Sequence, residues 1–117
     1  MVLMESFKGL INIYLSNYST YKNGKVLFEC EYGELIFLKN NSNNLILFGI
    51  YINPEYRQKG LCRDILYYLI DTSLNKFKFL CIQSVLSKIL YEYLTRFKYN
   101  DKRFKIKKDG FFYNLYV

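Results

Sequence analysis

The sequence predicts an α/β fold built on one mixed sheet, and three observations predict it. Residues 25–52 place apolar side chains at the two-residue spacing of strands or in short continuous runs. Residues 61–75 change to the three- and four-residue spacing of an amphipathic helix. The same change recurs over residues 77–97, before a hairpin pattern in the tail. Strands that alternate with helices in this order are typical of a mixed α/β sheet.

The first half of the chain predicts three strands after an ambiguous start. Residues 1–20 carry apolar side chains that suit either a short strand or a helix. Residues 25–32 alternate as a strand, Gly33 marks a turn, and residues 34–39 form a second strand. After an asparagine-rich loop, residues 45–52 form a continuous apolar run. Such a run predicts a central strand that is covered on both faces.

The second half predicts helix, strand and helix. The apolar spacing predicts a helix from Leu61 to about Asn75 and a strand from Phe77 to Gln83. A second helix follows over residues 87–97, and either Ser84 or Ser87 is available as its N-cap.

The tail predicts both a hairpin and a partner. Residues 103–107 alternate, residues 108–110 turn, and residues 111–117 return as a second strand. This last strand is too apolar for an exposed sheet edge. We therefore expect a homodimer, or another partner that covers part of the sheet.

Composition bounds the class of protein. At 117 residues the chain is expected to form one domain, residues 1–117. It has no apolar run of about 18 residues, so we expect no membrane span. The start lacks the basic-then-apolar layout of a leader peptide, which predicts a cytoplasmic protein. With three scattered cysteines and no histidine, the chain offers too few ligands for zinc, and we expect no metal.

Positive charge is concentrated in the second half. The chain carries a net charge of +7. Residues 1–56 have four Lys against five Glu, a net −1, whereas residues 57–117 have thirteen basic against five acidic residues, a net +8. This asymmetry predicts an anionic ligand for the second half. Nucleic acid, an anionic membrane surface and a polyphosphate cofactor are all compatible with this positive charge, and the charge alone does not distinguish them.

The segment between the third strand and the first predicted helix is a candidate phosphate site. It follows a buried strand and Pro54, and it leads directly into the helix. The first N–H groups of a helix have no intrahelical acceptor, and the helix dipole adds positive potential there. Phosphate binds readily to such an end. The residues of this loop are Arg57, Gln58, Lys59, Gly60, Leu61, Cys62 and Arg63.

In this segment the sequence resembles the GNAT superfamily of N-acetyltransferases. The family shows an apolar strand, a Pro, and then Gln/Arg-x-x-Gly-x-Gly/Ala opening a helix. Arg57 and Gly60 match this pattern, and Cys62 stands at its Gly/Ala position. A second family segment, Asn-x-x-Ala-x-x-Phe-Tyr, is similar to the stretch from Ser84 to Tyr91. The resemblance covers about residues 25–117, and it implies a mostly antiparallel GNAT-type sheet with flanking helices and reduced N-terminal helices.

The resemblance also implies a reaction and its residues. It implies transfer of an acetyl group from acetyl-CoA, as cosubstrate, to a primary amine by direct attack. The backbone of Ile50 and Ile52 would pair with the pantetheine arm, and the loop through Arg63 would hold the pyrophosphate. Ser84 stands at the position of the family's Asn, and Tyr91 stands at that of its general acid. The acceptor would be a small-molecule or peptide amine.

Alternative interpretations remain open at the level of sequence. The chain could be a catalytically silent protein of this fold, or a basic module that contacts nucleic acid through residues 98–108, although we favour the enzyme. Cys62, at a helix N-terminus, could act as a nucleophile, but direct attack by the amine needs no covalent intermediate. The sequence presents no clear general base, because Glu29 and Glu31, the nearest acids, are expected to face solvent.

Overall fold

A computed structural model describes residues 2–73, 76–83, 88–100, 104–107 and 110–114. Within these ranges no helix is both long and apolar enough to cross a membrane. Short 3-10 turns precede β1 and follow β3. The helices and strands are α1 (Val2–Ser16), β1 (Gly24–Cys30), β2 (Gly33–Lys39), β3 (Asn44–Ile52), α2 (Leu61–Ser73), β4 (Phe79–Gln83), α3 (Lys88–Asn100), β5 (Phe104–Lys107) and β6 (Gly110–Asn114).

The described strands form one mixed, mostly antiparallel sheet in the order β1-β2-β3-β4-β6-β5. β3 and β4 run parallel, with α2 in the connection between them, and the other neighbouring strands run antiparallel. A helix is the usual connection between parallel strands, since a tight turn cannot join them. The α/β fold class predicted from the sequence is confirmed.

The ambiguous N-terminal segment is a helix. Phe7, Ile11 and Tyr14 recur at four- and three-residue spacing, and each is fully buried. This spacing places the three side chains on one face of α1, where they pack against the sheet. Ile13, which a strand would have placed beside Ile11 on the same face, is instead about half exposed.

All three helices contribute to one core against one face of the sheet. Gly33, Leu35 and Phe37 alternate as the buried residues of β2, while its other residues are only half-buried. Leu94 and Phe97 bring α3 into the same cluster as α1 and α2. The strand residues in this core are Leu35, Phe37, Leu45, Leu47, Ile52, Leu80 and Ile82.

Tyr14 carries a hydroxyl whose removal is expected to stabilise the protein. Its ring stacks on Phe37 with centroids 4.2 Å apart, and its oxygen has no hydrogen-bond partner among the described residues. Burial also raises the pKa of the phenol. An unpaired buried hydroxyl costs about 1–3 kcal/mol. We therefore expect Tyr14→Phe to raise the melting temperature by about 5 °C.

Tyr68→Phe is the matched control for this prediction. The Tyr68 hydroxyl donates to Asn12 Oδ1 at 2.6 Å, so its removal breaks a hydrogen bond between α2 and α1. Thermal unfolding should shift upward for Tyr14→Phe and downward for Tyr68→Phe. A downward shift for both variants would show that the Tyr14 hydroxyl is satisfied in solution.

Two expectations from the sequence are wrong. The apolar tail does not form an edge, because β6 lies between β4 and β5 and is paired on both sides. This removes the reason given above for a homodimer; residues 115–117 lie outside the described range. The third strand is not covered throughout, because Tyr51, near its end, is 47% exposed.

Candidate functional site

The sheet opens between β3 and β4. Their parallel pairing ends at Leu47 and Ile82, whereas β3 continues to Ile52. The register between β2 and β3 also shifts at this point, since Ile36 pairs with Gly49 whereas Phe37 pairs with Leu47. Phe48 is therefore the extra residue of a β-bulge, a feature that bends a strand and ends its pairing. Beyond the bulge, β3 has no β4 partner within the described residues.

The backbone of Ile50 and Ile52 faces this opening. Asn53 N–H donates to Tyr32 O at 2.9 Å, which places a hydrogen-bonded pair at the end of the β2–β3 ladder. Hydrogen-bonded and non-hydrogen-bonded pairs alternate along an antiparallel ladder. Ile52 and Ile50, which pair with Gly33 and Leu35, therefore direct their N–H and C=O groups away from β2. These are the two residues that the sequence predicted for pantetheine.

Gly33 allows β2 and β3 to approach closely at this position. A Cβ atom there would lie 2.0 Å from the backbone oxygen of Tyr51, which is far inside van der Waals contact. Asn53 fixes the same junction by donating from Nδ2 to Glu31 O at 2.9 Å. The open end of β3 is therefore held in place by the turn between β1 and β2.

Arg57 joins the loop to the end of β3. Its Nε donates to Ile52 O at 2.7 Å, and its guanidinium lies 5.1 Å from the centre of the Tyr51 ring. The loop then turns sharply, with Gln58 at φ +61° and Gly60 at φ +77°. A left-handed conformation is unusual for Gln58 but costs glycine little. The sequence did not predict the contact between Tyr51 and Arg57, because it joins the end of β3 to a residue of the loop.

The N-terminus of α2 presents free backbone donors beside this loop. The first hydrogen bond of the helix runs from Asp64 N–H to Gly60 O at 3.0 Å. The N–H groups of Leu61, Cys62 and Arg63 therefore have no acceptor one turn earlier. The Leu61 side chain is buried in the core and fixes the start of the helix. The result is a group of donors at the positive end of the helix dipole.

Cationic side chains surround these donors. Lys59 and Arg63 are exposed, and the Arg63 guanidinium lies over Gly60, where a Cβ would come within 2.8 Å of Nη2. Arg63 Nε also lies 3.2 Å from Asp64 Oδ1, an exposed pair that offsets part of its charge. The structure thus brings all seven loop residues from Arg57 to Arg63 to one place, next to the open end of β3.

Cys62 is unsuited to nucleophilic attack in this position. Burial raises the pKa of its thiol to about 11, so at neutral pH the sulfur is protonated despite the helix N-terminus. Attack would require the thiolate. The neutral thiol adds no negative charge at this candidate anion site. The possibility of a nucleophilic Cys62 is therefore not supported.

The raised pKa of Cys62 predicts a loss of stability at alkaline pH. The folded state keeps a thiol proton that the unfolded chain releases, so stability is present below about pH 9 and falls as pH rises toward about 11. We expect Cys62→Ala to remove about 2 kcal/mol of this loss. Urea unfolding at pH 8 and pH 10.5 measures it. An identical alkaline loss in variant and wild type would contradict the assignment.

Tyr91 and Tyr93 lie on opposite sides of α3. Residues two apart on a helix are separated by about 200°. Tyr91 is 49% exposed, and its backbone oxygen accepts from Thr95 Oγ1 at 2.9 Å. Tyr93 is an α3 residue near the loop: burial raises the pKa of its phenol, and Cys62, Arg63 and Asp64 also act on it. The sequence missed Tyr93, whose position depends on how α3 packs against α2.

Two further predictions about the site have different outcomes. Ser84, predicted to contact the cofactor, lies outside the described residues. Glu29 and Glu31 are exposed, as the sequence predicted. Neither carboxylate is buried beside the open end of β3.

No protein-family model and no curated protein sequence matches the chain. Solved structures do match, at low identity. The ribosomal-protein-S18-alanine N-acetyltransferase of Escherichia coli aligns with 88% of this chain and 77% of its own, at 15% identity and a TM-score of 0.58.

Two other matches were solved with ligands. The PaiA N-acetyltransferase of Thermoplasma acidophilum, in complex with coenzyme A, aligns with 92% of this chain and 69% of its own, at 16% identity and a TM-score of 0.55. A GNAT family acetyltransferase of Elizabethkingia anophelis, with acetyl-CoA bound, aligns with 92% of this chain and 83% of its own, at 18% identity and a TM-score of 0.53. The chain therefore has the fold of the GNAT superfamily, as its sequence motifs predicted.

Proposed function

We propose that this protein is an acetyl-CoA-dependent N-acetyltransferase that moves an acetyl group to a primary amine by direct attack. One observation carries the proposal: the unpaired end of β3 lies directly before a basic loop and the free N–H groups of a helix N-terminus. A thioester with a long amide-bearing arm and a pyrophosphate needs both features. Two of the structural neighbours were solved with coenzyme A or acetyl-CoA bound.

The residues present fit acetyl-CoA. The N–H groups of Leu61, Cys62 and Arg63 would donate to the pyrophosphate, while Lys59 and the Arg63 guanidinium would neutralise it. The outward backbone groups of Ile50 and Ile52 would pair with the pantetheine amides. Because Arg57 already donates to Ile52 O, Ile52 would offer mainly its N–H. Acetyl-CoA, when bound, supplies an activated acetyl group.

The chain would assist the reaction in two ways. A backbone N–H at the open end of β3 would polarise the carbonyl that the amine attacks, since a fixed donor stabilises the charge that develops there. Tyr91, as the general acid, would give a proton to the departing sulfur. The amine would arrive neutral, and the proton that its nitrogen loses as the amide forms would pass to water, so that no strong base is needed. This assignment of Tyr91 rests on its position in the family motif.

Release of free thiol from acetyl-CoA tests the proposal. The protein is incubated with acetyl-CoA and, in turn, a polyamine, an amino sugar, a peptide and lysine, and product masses are recorded. We expect thiol release that depends on one class of amine, with a mass gain of one acetyl group on it. Stabilisation by acetyl-CoA without transfer would indicate a catalytically silent binder. Steeply salt-dependent binding to a nucleic-acid duplex, without any effect of acetyl-CoA, would favour the basic module.

A further inference from the structure

The two edges of the sheet are protected to different degrees. β5 is a four-residue strand with lysines at 105 and 107. Short length and edge lysines are devices by which proteins prevent edge-to-edge association. β1, at the other edge, is seven residues long, contains no proline and has a single lysine, Lys25. By these criteria β5 is closed to pairing and β1 is open to it.

The backbone of β1 presents hydrogen-bonding groups at this open edge. Tyr32 O accepts from Asn53 and so points toward β3. The backbone N–H and C=O groups of successive β2 residues alternate in direction. Those of Gly33 and of every second residue after it therefore point toward β1. Their β1 partners point back toward β2. The residues between those partners, Lys25, Leu27 and Glu29, therefore direct their N–H and C=O groups outward.

The side chains of these three residues form a self-complementary row. They share the face of the sheet opposite the core, and all three are exposed, Leu27 to 51%. Lys25 and Glu29 lie at equal distances on either side of Leu27. In an antiparallel pair of two such strands centred on Leu27, each lysine stands opposite a glutamate. A strand with this pattern matches a second copy of itself.

We propose that β1 pairs with β1 of a second copy of this chain, antiparallel and around a two-fold axis at Leu27. Lys25 of each copy then lies opposite Glu29 of the other, and the two Leu27 side chains pack together. Each opposed pair exchanges two backbone hydrogen bonds, and the two sheets become one. Such an interface is isologous, which is the usual geometry of a homodimer.

The pairing also improves the surroundings of Glu29. Within one copy, Glu29 lies opposite Glu34 on β2. Like charges that face each other across a ladder are destabilising. The dimer places Lys25 of the second copy on the other side of Glu29, which offsets this repulsion. On the core face, half-buried Val26 and Phe28 would pack against their counterparts and extend the core across the axis.

The charge distribution favours a second copy over a polyanion at this edge. Residues 1–56, which include β1 and its sheet neighbour β2, carry four Lys and five Glu, a net −1. Because residues 1–56 are nearly neutral, this part of one copy can approach the same part of another without strong repulsion. The net charge of +8 lies in residues 57–117. The proposal is independent of the proposed enzymatic activity.

Charge exchange across the axis tests this register. Lys25→Glu gives a copy with two glutamates on β1, and Glu29→Lys gives a copy with two lysines. Each single variant repels itself, and we expect its dimer to weaken at least about tenfold. Mixed in equal amounts, the two variants are complementary and should associate. The double variant Lys25→Glu/Glu29→Lys should dimerise like the wild type.

Sedimentation velocity on the full chain at 1–100 µM, on the order of typical homodimer affinities, provides the readout. Lys76→Glu, the same charge change at an exposed position between α2 and β4, is the control and should remain dimeric. The expected result is a wild-type dimer, monomeric single variants and restored association on mixing. A monomeric wild type would overturn the proposal, and so would a dimer whose affinity is unchanged by either single substitution. Stabilisation by acetyl-CoA should be the same in all variants.

Discussion

Tyr91→Phe is expected to lower the kcat of acetyl transfer by about ten- to a thousandfold while leaving the affinity for acetyl-CoA unchanged. The substitution removes one oxygen and preserves the ring, so the packing of α3 should survive. If Tyr91 protonates the departing sulfur, its loss affects the transition state alone, and kcat and kcat/KM fall together. Steady-state kinetics on an accepted amine, with calorimetric binding of acetyl-CoA, separates these effects.

Tyr93→Phe is the matched control, because it removes the same atom from the opposite side of the same helix. Tyr93 is influenced electrostatically by Cys62 and Arg63, so its substitution should change the affinity for acetyl-CoA more than kcat. If kcat falls in Tyr93→Phe and is unchanged in Tyr91→Phe, the general acid has been assigned to the wrong residue.

Gly60→Val is expected to weaken acetyl-CoA binding by about ten- to a hundredfold. Gly60 has φ +77°, and the space beside its Cα is occupied by the Arg63 guanidinium. A branched side chain would displace Arg63 and cover the N–H groups of α2. The left-handed backbone adds a cost of about 1–2 kcal/mol to folding, so stability must be measured as well.

Gly24→Val separates strain from the loss of the site. Gly24 also has a positive φ, +132°, but a Cβ there would meet nothing within 4 Å. The substitution should destabilise the fold and leave the affinity for acetyl-CoA unchanged. Equal affinities of Gly60→Val and wild type would show that the ligand does not approach the loop at Gly60.

The sequence predicted those parts of the fold that depend on local patterns. The predictions of β3 from an apolar run and of α2 from a periodic segment are confirmed. Both elements are buried at least in part, and burial produces a characteristic spacing of apolar residues along the sequence. Residues 1–20 were ambiguous because Leu10, Ile11 and Ile13 suit either spacing. The decisive residues, Phe7 and Tyr14, show their burial only against the sheet.

The errors arose where pairing is non-local. The apolar tail predicts a partner only if it lies at an edge of the sheet, whereas β6 is inserted between β4 and β5. The local pattern of a strand does not determine its place in the strand order. The same holds for the bulge at Phe48, which is defined by its partners on β2. Both features determine where the sheet is open.

The candidate site was predictable to the extent that it is one continuous segment. The loop from Arg57 to Arg63 could be recognised because a strand end, a turn and a helix start are adjacent in sequence. The stacking of Arg57 on Tyr51 and the position of Tyr93 beside Cys62 could not be recognised, since each joins separate elements.

The thermal stability of the wild-type protein in acetyl-CoA tests the central claim most directly. At a concentration one hundred times the Kd, a ligand that binds only the folded state adds about 2.7 kcal/mol. We expect this to raise the melting temperature by about 10 °C at physiological salt. Pantetheine, which lacks the pyrophosphate, should raise it much less. An unchanged melting temperature at millimolar acetyl-CoA would contradict the assignment of β3 and the loop from Arg57 to Arg63 as its binding site.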